Sequence, residues 1–460
     1  MARLFYLIFV AASLTRADIT VSDPSDAINP ADWAADNAYI FDWHNAGNVN
    51  QEIAIRGPYT YNHQRAKIRH RVLEDTGNDT SVLVVANGSD VDVAYTTISK
   101  FGYITSLNQA SFYGVNAAIN NANHSTLALS NVNVTTHNGA ANVYTYGTGS
   151  VTYADNVWLY SSGPVSHGLY ASGNGTVYAK NVRHYAGGTR SSSFSGDYPA
   201  GYLHVQDSVA HTDGVGSAIC FLQGLCNMTN VIGYARNSPA MISDNALGDV
   251  TGIWRNSELT AGLLGGMVMI SDSQIRNGTT VVLDNTRLTV LGETTPGLWF
   301  GNVIATVDVI ASTINTSSGI LAVSNYSFLT QDFNYYAGYE DNNNLSAAQA
   351  TINVQDSNLS GSIVVYNRSS ISFNLAQYSN WNGEATIGYG EGYLAVSLDS
   401  TSTWALTSNS VLQNFTNADR SLSNIISNGY NITYDAKSTA NHVWGGKTYK
   451  LHGGGRMYPL

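Results

Sequence analysis

Cysteine, charge and long apolar runs are all scarce in this chain, and each shortage excludes something. Cys220 and Cys226 are the only cysteines among 460 residues, so at most one internal bridge can form. Charged residues make up 12%, too few for a protein built from amphipathic helices. The 21 Lys and Arg against 32 Asp and Glu leave a net charge of −11, which argues against nucleic acid or an anionic membrane as partner. Beyond the first seventeen residues no apolar run approaches the length needed to cross a bilayer. No Asp-Asp pair occurs anywhere.

Gly, Asn, Ser and Thr are abundant instead, the mix expected of tight corners and β surfaces. Between Asn123 and Gly214 one phrase recurs: short apolar strand, polar corner, second strand, glycine-rich loop. Its corners, read at Asn131, Asn156, Asn181 and Ser208, stand 25, 25 and 27 residues apart. A unit of that size cannot bury its apolar face alone, so neighbours must stack. It is also too short to hold a useful helix, so equivalent strands pair in parallel as successive rungs. The expected fold is therefore all-β, a single right-handed parallel β-helix with an N-terminal cap.

Residues 1–17 read as a secretory signal, with Arg3, the apolar run from Leu4 to Leu14, and small residues before the expected cleavage point. Residues 18–81 are expected to form the cap and first strands, with a short helix over Pro30 to Asn37. Residues 82–460 are expected to form the coil and its closing strands, interrupted by a long excursion from Phe328 to Asn344. In a secreted protein, Cys220 and Cys226 suit a local disulfide, two free thiols being the alternative. Fourteen N-x-[ST] sequons occur, and Asn78, Asn87, Asn174, Asn277 and Asn344 are the glycosylation candidates. The basic run from Lys67 to Arg71 reads as a solvated face.

Stacking turns sequence columns into ladders with neighbours about 4.8 Å apart. The position before each corner places Lys180 between Asp155 and Asp207. These three are candidate catalytic groups, a base beside two acids; a solvent-exposed salt-bridge ladder is the plain alternative. Past the corner, Trp158, Tyr160, Tyr185 and Tyr234 recur at equivalent positions, with Thr212 filling the gap before Tyr234. If they point outward they form a platform for sugar rings; one position out of phase, they stack inside the coil. His137, His167, His184, His204 and His211 lie in the same region without the close spacing of metal ligands. No metal or cofactor is called for.

The repeats from Leu127 to Val209 resemble those of the right-handed parallel β-helix proteins of the pectin-lyase-like superfamily. The Leu398 to Thr407 segment, with Trp404, and the Gly445 to Leu451 segment are similar to the closing parts of microbial secreted β-helix proteins often called adhesin-like. The superfamily contains polygalacturonases, whose motifs run N-T-D, D-D, G/S-H-G, R-I-K. Here Ser166-His167-Gly168 precedes His211-Thr212-Asp213-Gly214, the reverse order, and Lys67-Ile68-Arg69 lies upstream of both. Inverting hydrolysis needs an acid and a base carboxylate about 6.5–9.5 Å apart, and the missing Asp pair removes that chemistry. The missing acid pair, with the signal and sequons, favours a secreted, non-catalytic glycoprotein that contacts a polysaccharide or another cell-surface polymer. An atypical polysaccharide lyase or glycosidase is the alternative.

Overall fold

A computed structural model of the chain describes residues 50–139, 141–245, 248–263, 265–271, 275–325 and 346–460. The expected signal, the short helix at Pro30 and the excursion at Phe328 lie outside the described residues. The rest is a right-handed parallel β-solenoid of about 15 stacked turns, almost without helix.

Each turn has three walls. In one turn they are Val143–Tyr146, then 151–155, then 157–161, the last two within one continuous strand, Val151–Ser161. Strict alternation decides which side chains enter the core: Thr152, Ala154, Val157 and Leu159 are buried, while Tyr153, Asp155 and Trp158 face solvent. Asp155 and Asn156 are both exposed, so the alternation slips by one at Asn156. That slip needs one residue in the left-handed region, which Asn tolerates better than most.

Along the coil this corner is occupied by His70, Tyr95, Asn131, Asn156, Asn181, Asp207, Asn230, Asn256, Asn285 and Ala311, all with φ between 47° and 55°. Side chains tie the ladder together. Asn156 donates to Asn131 at 2.6 Å, Asn230 to Asp207 at 2.5 Å, and Asn285 to Asn256 at 2.7 Å.

The fourth corner differs from the sequence reading. Lys180 pairs with Gln206 and Arg183 with Val209, so Asp207 takes the corner and Ser208 follows it inward. There Ser208 Oγ accepts the Val182 N–H at 3.0 Å and donates to the Gln206 carbonyl at 2.8 Å. A hydroxyl at this inward position recurs at Ser257, Thr286, Ser312 and Ser357, each accepting a backbone N–H from the preceding turn. These hydroxyls satisfy donors that the corner would otherwise leave buried and unpaired.

The coil is already formed before Val82. Tyr59 pairs with Leu83, Arg65 with Asp90 and Val72 with Thr97, which makes residues 59–75 the first turn. Within the basic run Arg69 reaches Asp92 at 2.5 Å. The Leu107–Tyr113 helix leaves the coil and ends at Gly114, whose φ of 69° suits glycine. It packs over the outward ring of Tyr144, whose hydroxyl donates to the Ser111 carbonyl at 2.9 Å.

Cys220 and Cys226 form a disulfide inside the coil, with Cα atoms 7.0 Å apart. Cys220 aligns with Phe194 on the first wall and Cys226 with Leu203 on the second, so the bridge closes one corner of one turn. At the C-terminal end the core becomes a stack of rings. Phe373, Trp381, Trp404, Phe415 and Trp444 follow one another at centroid spacings of 4.9, 4.7, 6.3 and 5.6 Å.

Candidate functional site

The outer face on either side of the corner ladder gathers most of the side chains that chemistry could use. Before the corner, Tyr153, Tyr178 and His204 occupy one outward column. Tyr178 stacks on Tyr153 at 5.5 Å and on His204 at 4.8 Å, with both tyrosines well exposed. Partial burial lowers the His204 pKa, so at neutral pH the ring stacks uncharged. Ala128 precedes Tyr153 in this column, so the ring stack begins at Tyr153.

After the corner the nearer column reads Asn133, Trp158, Arg183, Val209, Ile232, Glu258, Arg287 and Thr313. Trp158 is exposed, and the Arg183 guanidinium lies 4.8 Å from its ring centroid. The farther column reads Thr135, Tyr160, Tyr185, His211 and Tyr234. His211 stands where the sequence reading placed Thr212, because the corner at Asp207 shifts every later position of that turn by one. Its ring meets Tyr185 and Tyr234 edge-on at 5.1 and 4.9 Å.

The four rings singled out from the sequence thus share one outer wall but not one environment. Trp158 is exposed, Tyr160 and Tyr234 are half-buried, and Tyr185 is 6% exposed. This difference predicts a split in stability. Tyr185→Ala removes a buried ring and is expected to cost about 3 kcal/mol, whereas Trp158→Ala should stay within about 1 kcal/mol, mainly the lost cation–π contact. Thermal melts of the two variants check this. Equal melting temperatures would contradict the packing described.

Asp155 and Lys180 share a column, whereas Asp207 sits one position further on, at the corner. No ion pair joins Lys180 to either carboxylate. Asp155 instead accepts the Asn181 carboxamide at 2.9 Å, and Asp207 accepts those of Asn230 and Gln206. The carboxylates are thereby engaged in holding the corner ladder.

The histidines separate by face. His137 stacks on exposed Phe101 at 5.2 Å. His167 and His184 are buried; His184 Nε2 lies 3.1 Å from Ser161 Oγ, and His167 Nδ1 accepts the Ser192 N–H at 3.1 Å. Burial drives the pKa of each down to about 3. Among the described residues no group of three His, Cys, Asp or Glu side chains converges on a point.

Two further features were hidden from sequence reasoning. The Tyr153–Tyr178–His204 row was signalled by two tyrosines 25 residues apart, but it lies before the corner and not after it. The second is a groove of about 570 Å³ further along the same corner, lined by Asn230, Asn256, Glu258, Asn285, Arg287 and Thr313 among others. Uneven loop lengths between these turns conceal it in the sequence.

Fold and outer face together define a parallel β-solenoid with an aromatic and carboxamide-lined corner. No family model matches the chain, and no curated protein matches it in sequence.

Proposed function

We propose that the protein is a secreted, non-catalytic β-solenoid glycoprotein that contacts a polysaccharide, or another extended cell-surface polymer, along the outer face flanking its corner ladder. One observation carries this reading: exposed rings flank the corner within two successive turns, Tyr153 and Tyr178 on one side and the single ring of Trp158 on the other. Rings with apolar faces and polar edges suit sugar surfaces. Turns spaced about 4.8 Å apart match the repeat of an extended sugar chain closely enough for successive units to meet successive rungs. Tyr160 offers a partly open edge in the turn of Trp158, and Tyr234 another three turns further along.

The four described glycosylation candidates, Asn78, Asn87, Asn174 and Asn277, are exposed, and Asn344 lies outside the described residues. Together with the internal disulfide they support a secreted chain. A screen of immobilised glycans, run beside reducing-end and unsaturated-product assays, tests the reading. Binding without product formation is the expected result. Steady release of new reducing or unsaturated ends would replace it with an enzyme.

A further inference from the structure

The groove beyond Trp158 points to the chemical class of the polymer. We propose that the groove along the corner at Asn230, Asn256 and Asn285 binds an uncharged, hydroxyl-rich glycan chain running parallel to the solenoid axis. This rests on the polymer reading above and adds a second, separate contact to it.

The groove draws residues from four consecutive turns: Asn230; Asn256 and Glu258; Asn285 and Arg287; Ala311 and Thr313. Three turn spacings make it about 14 Å long, enough for about three sugar units. Its volume of about 570 Å³ falls in the range of small-molecule sites.

The lining offers donors and acceptors in balance. Asn285 donates to Asn256 Oδ1 at 2.7 Å, and no described side chain occupies the Asn285 carbonyl oxygen or the Asn256 amide. Glu258 and Arg287 stand 3.9 Å apart, and Arg255 and Asp284 on the adjoining wall stand 3.8 Å apart. Each positive charge is thus matched by a negative one. An anionic chain would meet Glu258 and Asp284, and a cationic chain Arg255 and Arg287. Hydroxyl groups, which donate and accept, fit this lining without an uncompensated charge.

Trp158 belongs to the same outward column as Glu258, Arg287 and Thr313. It lies six turn spacings from Thr313, about 29 Å. A short oligomer can therefore fill the groove without touching Trp158, and a chain of about six units reaches both.

The test uses the full-length protein and calorimetric titration with neutral trimers and hexamers of β-1,4-glucan, β-1,3-glucan, β-1,4-mannan and β-1,4-xylan, beside an oligogalacturonate hexamer. At least one neutral hexamer should bind, and Thr313→Trp, which fills the groove from an exposed position, should weaken it at least tenfold. The Glu258→Leu/Arg287→Leu pair should do the same, so that misfolding of one variant leaves the other to decide. Trp158→Ala should weaken the hexamer, which reaches from the groove to that ring. Neutral binding that responds to Trp158→Ala but to neither groove change would overturn the groove and leave the polymer reading standing. Binding of the oligogalacturonate alone would overturn the uncharged class. No binding to any glycan, in these titrations or on the immobilised screen, would overturn both readings.

Discussion

Lowering the pH from 7 to 4.5 is expected to destabilise the folded chain by up to about 5 kcal/mol through two buried histidines alone. His167 and His184 have pKa values of about 3 in the folded protein because burial penalises the imidazolium. For His184 the nearby His167 and His211 push in the same direction. In the unfolded chain both should titrate near the ordinary value of about 6.5. Between these limits the unfolded state binds more protons, so stability is complete above about pH 6.5 and falls as the pH drops toward 3. At pH 4.5 each histidine lies about two units below its unfolded pKa, a cost of about 2.7 kcal/mol apiece. Melting temperature measured across pH 4 to 8 reads the slope directly. His167→Asn with His184→Gln keeps an acceptor near Nδ1 of the first and a donor near Nε2 of the second, where Ser161 Oγ already donates to the Ser166 carbonyl, and removes the titration, so the double variant should lose most of that slope. An unchanged slope would mean that other groups govern acid sensitivity.

Replacing Trp404 by alanine is expected to cost about 4 kcal/mol. The ring is fully buried, stacks on Trp381 at 4.7 Å, and donates through Nε1 to the Gly383 carbonyl at 2.9 Å. Its removal leaves a cavity between two turns and takes the shorter of two hydrogen bonds from the Gly383 carbonyl, the other coming from the Thr407 N–H at 3.4 Å. Because each turn touches mainly its neighbours, the loss should appear first as early melting of the C-terminal turns. Hydrogen exchange should show faster opening near Trp381 and Phe415, with the turns around Asn156 still protected. Combining Trp404→Ala with Trp381→Ala should cost less than the sum of the two, since the second change finds its stacking partner already gone. Strict additivity would contradict the ring stack.

The architecture was legible because a period near 25 residues repeats through Asn131, Asn156 and Asn181, and only a stacked coil accounts for it. The next corner misled because Asp207 and Ser208 are both corner residues by type, and spacing alone does not choose between them. Choosing Ser208 put Thr212 where His211 stands and moved Asp207 into the column of Lys180. The strands from Tyr59 to Asp75 were harder to read as coil because many of their side chains are exposed at the first turn, which weakens the apolar alternation. Outward or inward phase for Trp158 and Tyr185 depended on the single left-handed residue at each corner, whose φ the sequence does not display.

Glycan binding by the exposed rings is read directly by one measurement. Purified protein is mixed with each of a series of insoluble polysaccharides, and the fraction left in solution is compared for the natural chain and a Trp158→Ala/Tyr178→Ala variant. Each ring is expected to contribute about 1 kcal/mol, so the variant's apparent affinity for the retained polysaccharide should fall about 30-fold with its melting temperature nearly unchanged. Retention of the variant as tightly as the natural chain, or no retention of either on any polysaccharide, would contradict the assignment of this face to a glycan.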